Sequence, residues 1–222
     1  MLPNGDLVAG GSFTLAGDAA ASKIARWDGS TWSPLGTGIT GGTNPAVYSL
    51  AVLPNGNLVA GGVFTTAGDV PAGNIARWDG ATWSSLGTGM SGVASPRVAS
   101  LAVLAGGDVV AGGSFTIAGG VPANNIARWD GHDWTPLGGG LTGENPAYVW
   151  SLQVMPDGDL IAGCGFVTTA GGMPANNIAR WNGAAWSPLG TGIGGSVNSL
   201  ALVPAWHRAR LSGILIPAIA RR

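Results

Sequence analysis

The chain has 222 residues, of which 40 are glycine and 10 tryptophan, with 9% charged residues, 45% hydrophobic ones and a formal net charge of -1. That balance excludes a strongly basic nucleic-acid surface and a polyacidic tail, and a mean hydropathy of +0.30 argues for a packed core despite the glycine. Cys164 is the single cysteine, which excludes an intramolecular disulfide framework and any multi-cysteine metal site, and no apolar run reaches the roughly 18 residues of a membrane span.

The chain opens at Met1-Leu2-Pro3-Asn4-Gly5, which reads as the first turn of a repeated unit, so the first unit is expected to hold only its last three strands. The next unit shows the full plan. Residues 47–53 are rich in β-formers and end at the turn Pro54-Asn55-Gly56. Residues 58–64 form a second strand, whose paired Gly61-Gly62 predicts a bulge or a close backbone approach. A polar, glycine-rich loop over 65–74 leads to the third strand, Ile75-Ala76-Arg77-Trp78. Asp79-Gly80 then turns the chain into Thr82-Trp83-Ser84, and the unit closes on Leu86-Gly87-Thr88-Gly89.

The tetrad Ile24-Ala25-Arg26-Trp27 recurs at 75–78, 126–129 and 178–181, with tryptophan spacings of 51, 51 and 52 residues. Residues 2–40 align on 53–91 without gaps at 28 identities in 39, which points to duplication of one unit. Phe13, Phe64, Phe115 and Phe166 keep the spacing of 51, which places the extra residue just after Phe166, in Val167-Thr168-Thr169. The first strand of a fifth unit, 196–202, comes last. With no sustained helical spacing anywhere in the repeats, the expectation is an all-β chain of sixteen strands in four antiparallel sheets.

A period near 50 with four strands is the signature of a β-propeller blade. Gly61-Gly62, Trp78 and Trp83, with their counterparts in each unit, resemble the kelch family, and Cys164 is the one break in the double glycine. The run Gly-Gly-x-Phe-Thr, Asn-Ile-Ala-Arg-Trp-Asp-Gly and Trp-x-x-Leu-Gly is also similar to the propeller of fungal cortical polarity marker proteins and to repeats of large bacterial surface or secreted proteins. The resemblance covers 1–203. It implies a propeller of four blades, with 196–202 completing the N-terminal blade, or else two chains combining as a homodimer of eight blades. It also implies an extracellular or cell-surface location, although no signal-peptide pattern precedes the first turn. The segment 204–222 leaves the repeat. Its part 205–222 carries four arginines and no acid, and is expected to be a frameshifted or truncated end rather than part of the fold.

The pairs Trp27/Trp32, Trp78/Trp83, Trp129/Trp134 and Trp181/Trp186 flank a turn in every unit, which predicts packing between units rather than an aromatic binding platform. Trp150 lies outside this series, on a first strand, and is the candidate ligand contact. Arg26, Arg77, Arg128 and Arg180 are expected to stack on aromatics or pair with aspartates such as Asp28 or Asp79. Asp157-Gly158-Asp159 reads as a turn, not a calcium loop. Catalysis would need residues that break the repeat and converge. The singular ones are Lys23, Arg97, His132, Asp133, Glu144 and His207, with Tyr48, Tyr148 and Cys164 as candidates for copper chemistry. Cys164 replaces a glycine and reads as a small buried substitution. The expected function is therefore a non-catalytic binding or structural module of a larger surface protein, without cofactor, nucleic acid or membrane span. Its contacts are expected from the loops 65–74, 116–125 and 167–177, and its partner is an unidentified protein or glycan. The alternatives are carbohydrate binding through the inter-blade tryptophans and a kelch-type metal oxidoreductase.

Overall fold

The computed structural model describes residues 2–203; the basic segment 205–222, with His207, lies outside the described residues. No helix occurs among the described residues, and the principal strands pair antiparallel. In the second unit Ala46–Val52, Leu58–Val63, Ile75–Trp78 and Trp83–Ser85 lie side by side in chain order. The third unit repeats this with Arg97–Val103, Val109–Ser114, Ile126–Trp129 and Trp134–Pro136. The fourth does so with Leu141–Val154, Leu160–Ala170, Ile178–Trp181 and Trp186–Pro188. The first unit is three-stranded, Leu7–Gly10, Ile24–Trp27 and Trp32–Pro34, as its opening turn predicts.

The sheets are held to one another by a seam made of the same residues each time. The apolar cores lie at these seams: one joins Ile24, Leu35 and Ile39 of the first unit to Leu58, Phe64 and Trp83 of the second. The next two clusters straddle the second and third units and the third and fourth in the same way. On the first strands, Ser49 Oγ accepts the Leu101 N–H at 3.0 Å, Ser100 Oγ accepts that of Leu152 at 3.0 Å, and Ser151 Oγ accepts that of Leu200 at 3.1 Å. Beside them Val98 fills the space over Gly61, where a Cβ would come within 2.5 Å of its Cγ1, and Val149 does the same over Gly112. The paired glycines thus serve the close approach that the sequence predicts.

The C-terminal strand expected at 196–202 is a correction. That segment pairs with no strand among the described residues, and Leu7–Gly10 has Ile24–Trp27 as its ladder partner. Instead Val197 donates to the Cys164 carbonyl at 2.8 Å and sits over Gly163 as Val149 sits over Gly112. The same valine-on-glycine fit that orders the other first strands holds this one against the fourth unit, and the first unit stays three-stranded.

The loops expected to be irregular are also corrected. Thr66–Ala67 and Val70–Pro71 form a miniature hairpin, and Ile39–Thr40 from the preceding unit adds a third strand to it. Ile117–Ala118, Val121–Pro122 and Met90–Ser91 repeat the arrangement. In the fourth unit the long strand Leu141–Val154 supplies Leu141 and Thr142 to the corresponding edge. Each hairpin ends on an asparagine in the left-handed region, Asn74 (φ 67°), Asn125 (φ 63°) and Asn177 (φ 56°), a conformation asparagine tolerates well. Asn125 is buried: its Oδ1 accepts the Phe115 N–H and its Nδ2 donates to the Leu141 carbonyl at 2.8 Å. Lys23 (φ 66°) stands at this position in the first unit, which gives that singular residue a backbone role.

Candidate functional site

The four-unit repeat is regular enough that its departures can be located, and they gather at one end of the first strands of the third and fourth units. Each complete first strand carries a bulge, between Val47 and Ser49, Val98 and Ser100, and Val149 and Ser151, so Tyr48, Ala99 and Trp150 are the extra residues. A bulge re-aims the side chain it carries. At Trp150 it brings the indole onto Tyr148, with ring centroids 4.8 Å apart and planes 25° from parallel. On the other strand Arg97 places its guanidinium 5.6 Å from the Tyr148 ring centroid. Arg97 Nε is buried without a hydrogen-bond partner, and the residue takes part in none of the ion pairs among the described residues. Gly165 occupies the place held by Val63 and Ser114 in the preceding units, and a Cβ there would come within 2.7 Å of the Trp150 indole nitrogen. The glycine makes room for the ring.

Phe166 joins this departure, and its position corrects the placement of the extra residue. Asn74, Asn125 and Asn177 accept hydrogen bonds from the backbone of Phe64, Phe115 and Val167, respectively. Val167 therefore holds the seat of the buried phenylalanines, at 2% exposure, while Phe166 is extruded at φ 59° and 56% exposed. A bulky residue with positive φ is uncommon and costs energy. The residue added to the fourth unit is thus accommodated before Val167, next to Gly165, and not within 167–169. Arg97, Tyr148 and Trp150 form a continuous stack of a cation and two rings, with Phe166 presented on the strand that pairs with Tyr148. Such a surface offers π faces to C–H groups and a cation to an anionic or hydroxyl-rich ligand.

The other candidates fall elsewhere. The four tryptophan pairs are tilted, with centroids 5.3 to 5.4 Å apart. The indole N–H groups of Trp83, Trp134 and Trp186 donate to the carbonyls of Leu35, Leu86 and Leu137 of the preceding unit at 3.0, 2.8 and 2.8 Å. They are seam residues, as their repetition predicts. The arginines pair with aspartates, but not with those of the following turn: Arg26 meets Asp6, Arg128 meets Asp108, and Arg180 meets Asp159 and Asp157. The second unit has Asn57 at that place, and Arg77 bonds Ser84 instead. His132 and Asp133 lie in the exposed turn closed by Asp130. Cys164 is fully buried, and burial pushes its thiol up to about 12, which suits a packing residue and not a nucleophile. No group of three His, Cys, Asp or Glu side chains that would hold a metal occurs among the described residues.

Asp28, Asp79 and Asp130 close the tryptophan turns. Asp28 accepts the Ser30 and Thr31 N–H groups at 2.8 Å, and these bonds hold its carboxyl well below the usual range; Asp79 and Asp130 are lowered by equivalent backbone bonds. A carboxyl depressed by folding contributes stability above its unfolded value, near 4, and that contribution is lost as pH falls through the folded value. The fourth turn uses the neutral Asn182 for the same bonds. Replacing all three aspartates by asparagine is therefore expected to flatten the fall of the melting temperature below about pH 4, and parallel acid-side melting curves for the two proteins would refute the assignment.

No family model and no curated protein matches the sequence. Among solved structures, two crystal structures of the extracellular domain of BT4673 from B. thetaiotaomicron are similar at 10% identity, with TM-scores of 0.50 and 0.49. The similarity covers 79% of this chain and 22% of that one, so the chain spans about a fifth of its neighbour's length. A protein of unknown function from Dyadobacter fermentans is similar at 14% identity and a TM-score of 0.40, over 76% of this chain and 58% of that one. At these identities the likeness is one of fold alone.

Proposed function

We propose that the chain is a kelch-like β-propeller array acting as a non-catalytic binding module of a larger extracellular or cell-surface protein, with Trp150 as its principal ligand contact. The observation that carries this reading is the stack of Arg97, Tyr148 and Trp150, three side chains that break the repeat and meet across a seam. Four sheets of one plan, joined face to face by identical seams, support the propeller architecture. The match to an extracellular domain accords with a surface location.

The ligand class that fits the stack best is a glycan, whose ring C–H groups pack on aromatic faces while its hydroxyl or carboxylate oxygens meet the guanidinium. The tryptophan pairs of the second, third and fourth units are engaged at the seams, so the carbohydrate reading rests on Trp150 and its neighbours. Tryptophan emission titrated with neutral and uronate oligosaccharides tests it. The expected result is a saturable shift with at least one member of the panel, lost in Trp150→Ala and weakened about tenfold in Arg97→Ala. Absence of any shift across the panel, or a shift that survives Trp150→Ala, overturns the assignment.

A further inference from the structure

Three of the four units carry the same ion pair, and the second unit holds only its cation. Asp6, Asp108 and Asp159 recur at the foot of a second strand, and each meets the arginine of its own third strand, Arg26, Arg128 and Arg180. The same place in the second unit is Asn57, which has no charge to offer Arg77. Among the described residues Arg77 takes part in no ion pair, and its one side-chain hydrogen bond is to Ser84 Oγ at 3.3 Å, just beyond the usual range for an N–H donor. Most of its guanidinium donors are thus uncommitted.

Arg77 pairs in the ladder with Val59, and Val59 belongs to the apolar core between the second and third units, so the arginine lies on the face turned to that seam. There it lines a groove of about 280 Å³ to which the third unit contributes the half-buried Trp129 and the second unit Pro54. The carboxylates in the lining are already engaged. Asp108 pairs with Arg128 at 2.8 Å, and Asp130 accepts the His132 and Asp133 N–H groups at 2.9 Å. A further unit follows this seam and another precedes it, so the groove is interior to the array.

We propose that this groove binds a small organic acid, whose carboxylate takes the place of the missing aspartate against Arg77 and whose apolar or aromatic stem lies on Trp129. The three ion pairs of the other units show that the fold seats a carboxylate at this place. The planar fork of a guanidinium matches a carboxylate, and an indole face suits the stem. The volume lies just below the roughly 300 Å³ at which small-molecule pockets begin, which fits a short acid rather than an extended chain.

The arginine Nε–Hε resonances of the isotope-labelled full chain, titrated with phenylacetate at neutral pH, test the proposal, with the Arg77 signal identified by its loss in Arg77→Lys. The expected result is a saturable shift of Arg77 that leaves Arg26, Arg128 and Arg180 in place. Phenylacetamide, which has the same stem without the charge, is expected to bind at least about tenfold more weakly. Asn57→Asp restores the residue of the other units and is expected to abolish the response, whereas Asn57→Ala leaves the guanidinium free and is expected to respond as wild type does. An Arg77 signal that does not move, a response that survives Asn57→Asp, or all four arginines shifting in parallel would overturn the site. Equal binding of phenylacetamide would overturn the role of the carboxylate, and tighter binding of a blocked Gly-Asp-Gly peptide would overturn the small acid as occupant. Arg97 and Trp150 lie at the next seam, and Trp150→Ala is expected to leave the Arg77 response intact, so failure here and failure of the glycan assignment are separable.

Discussion

Trp134→Ala is expected to lower the unfolding free energy by about 4 kcal/mol, the usual scale for removing a large buried aromatic. The side chain is 4% exposed, its ring packs against Trp129 at 5.4 Å, and its N–H reaches the Leu86 carbonyl of the preceding unit at 2.8 Å. The substitution opens a cavity in the core between the second and third units and removes one of the two hydrogen bonds to the Leu86 carbonyl, which keeps that from the Gly89 N–H at 3.2 Å, and both effects act on the same seam. Trp32→Ala is the internal comparison. Trp32 keeps the tilted contact with Trp27 but makes no seam among the described residues, so its loss is expected to be less than half as large. Urea unfolding followed by circular dichroism gives both numbers. Equal losses at Trp32 and Trp134 would mean that the pair within a hairpin, and not the seam between units, carries the stability.

Gly113→Ala is expected to cost about 3 kcal/mol through overpacking, a fall of roughly 6–12 °C in melting temperature for a chain of this size. A Cβ at Gly113 would overlap the carbonyl oxygen of Arg97, which is backbone and cannot swing aside. The neighbouring strand approaches this closely because the bulge between Val98 and Ser100 draws it in. Cys164 occupies the same place in the fourth unit, where Gly165 and the extruded Phe166 follow it and the backbone after it is reset. Cys164→Gly is therefore expected to cost no more than about 1 kcal/mol, the scale of a small lost side chain. A thermal melt in which Gly113→Ala is neutral would show that the bulge yields, and that the double glycine is there for some other reason.

Much of this architecture was legible because it is repeated. The observed strands Leu58–Val63, Ile75–Trp78 and Trp83–Ser85 fall within a residue of those expected, and the tryptophans serve as packing between units. Repetition itself carried that inference, since a side chain recurring in every unit must satisfy every unit. The miniature hairpins escaped notice for a physical reason. Strands of two residues, such as Thr66–Ala67, are too short to show alternation, and their third strand comes from a glycine-rich link more than twenty residues earlier. Residues 196–202 have the composition of a strand, yet composition does not say which edge a strand meets. Phe166 misled because identity was allowed to set the alignment. The backbone aligns on the hydrogen bonds of Asn177, which seat Val167 and turn the phenylalanine outward. Trp150 and Arg97 were each visible as exceptions to the repeat. Their meeting through Tyr148 depends on the bulge and on Gly165, which no spacing rule reveals.

The serine hydroxyls that join successive first strands, from Ser49 to Leu101 and from Ser100 to Leu152, make the number of units a heritable variable. Because each joint uses the same atoms, excising one whole period, such as 47–97, would bring Val98 to the glycine that Val47 now covers and Trp134 to the carbonyl that Trp83 now holds. Unequal recombination between the coding copies could thus lengthen or shorten the array in whole steps without having to invent a new interface. Only changes that fall out of phase with the period would be visible to selection as damage.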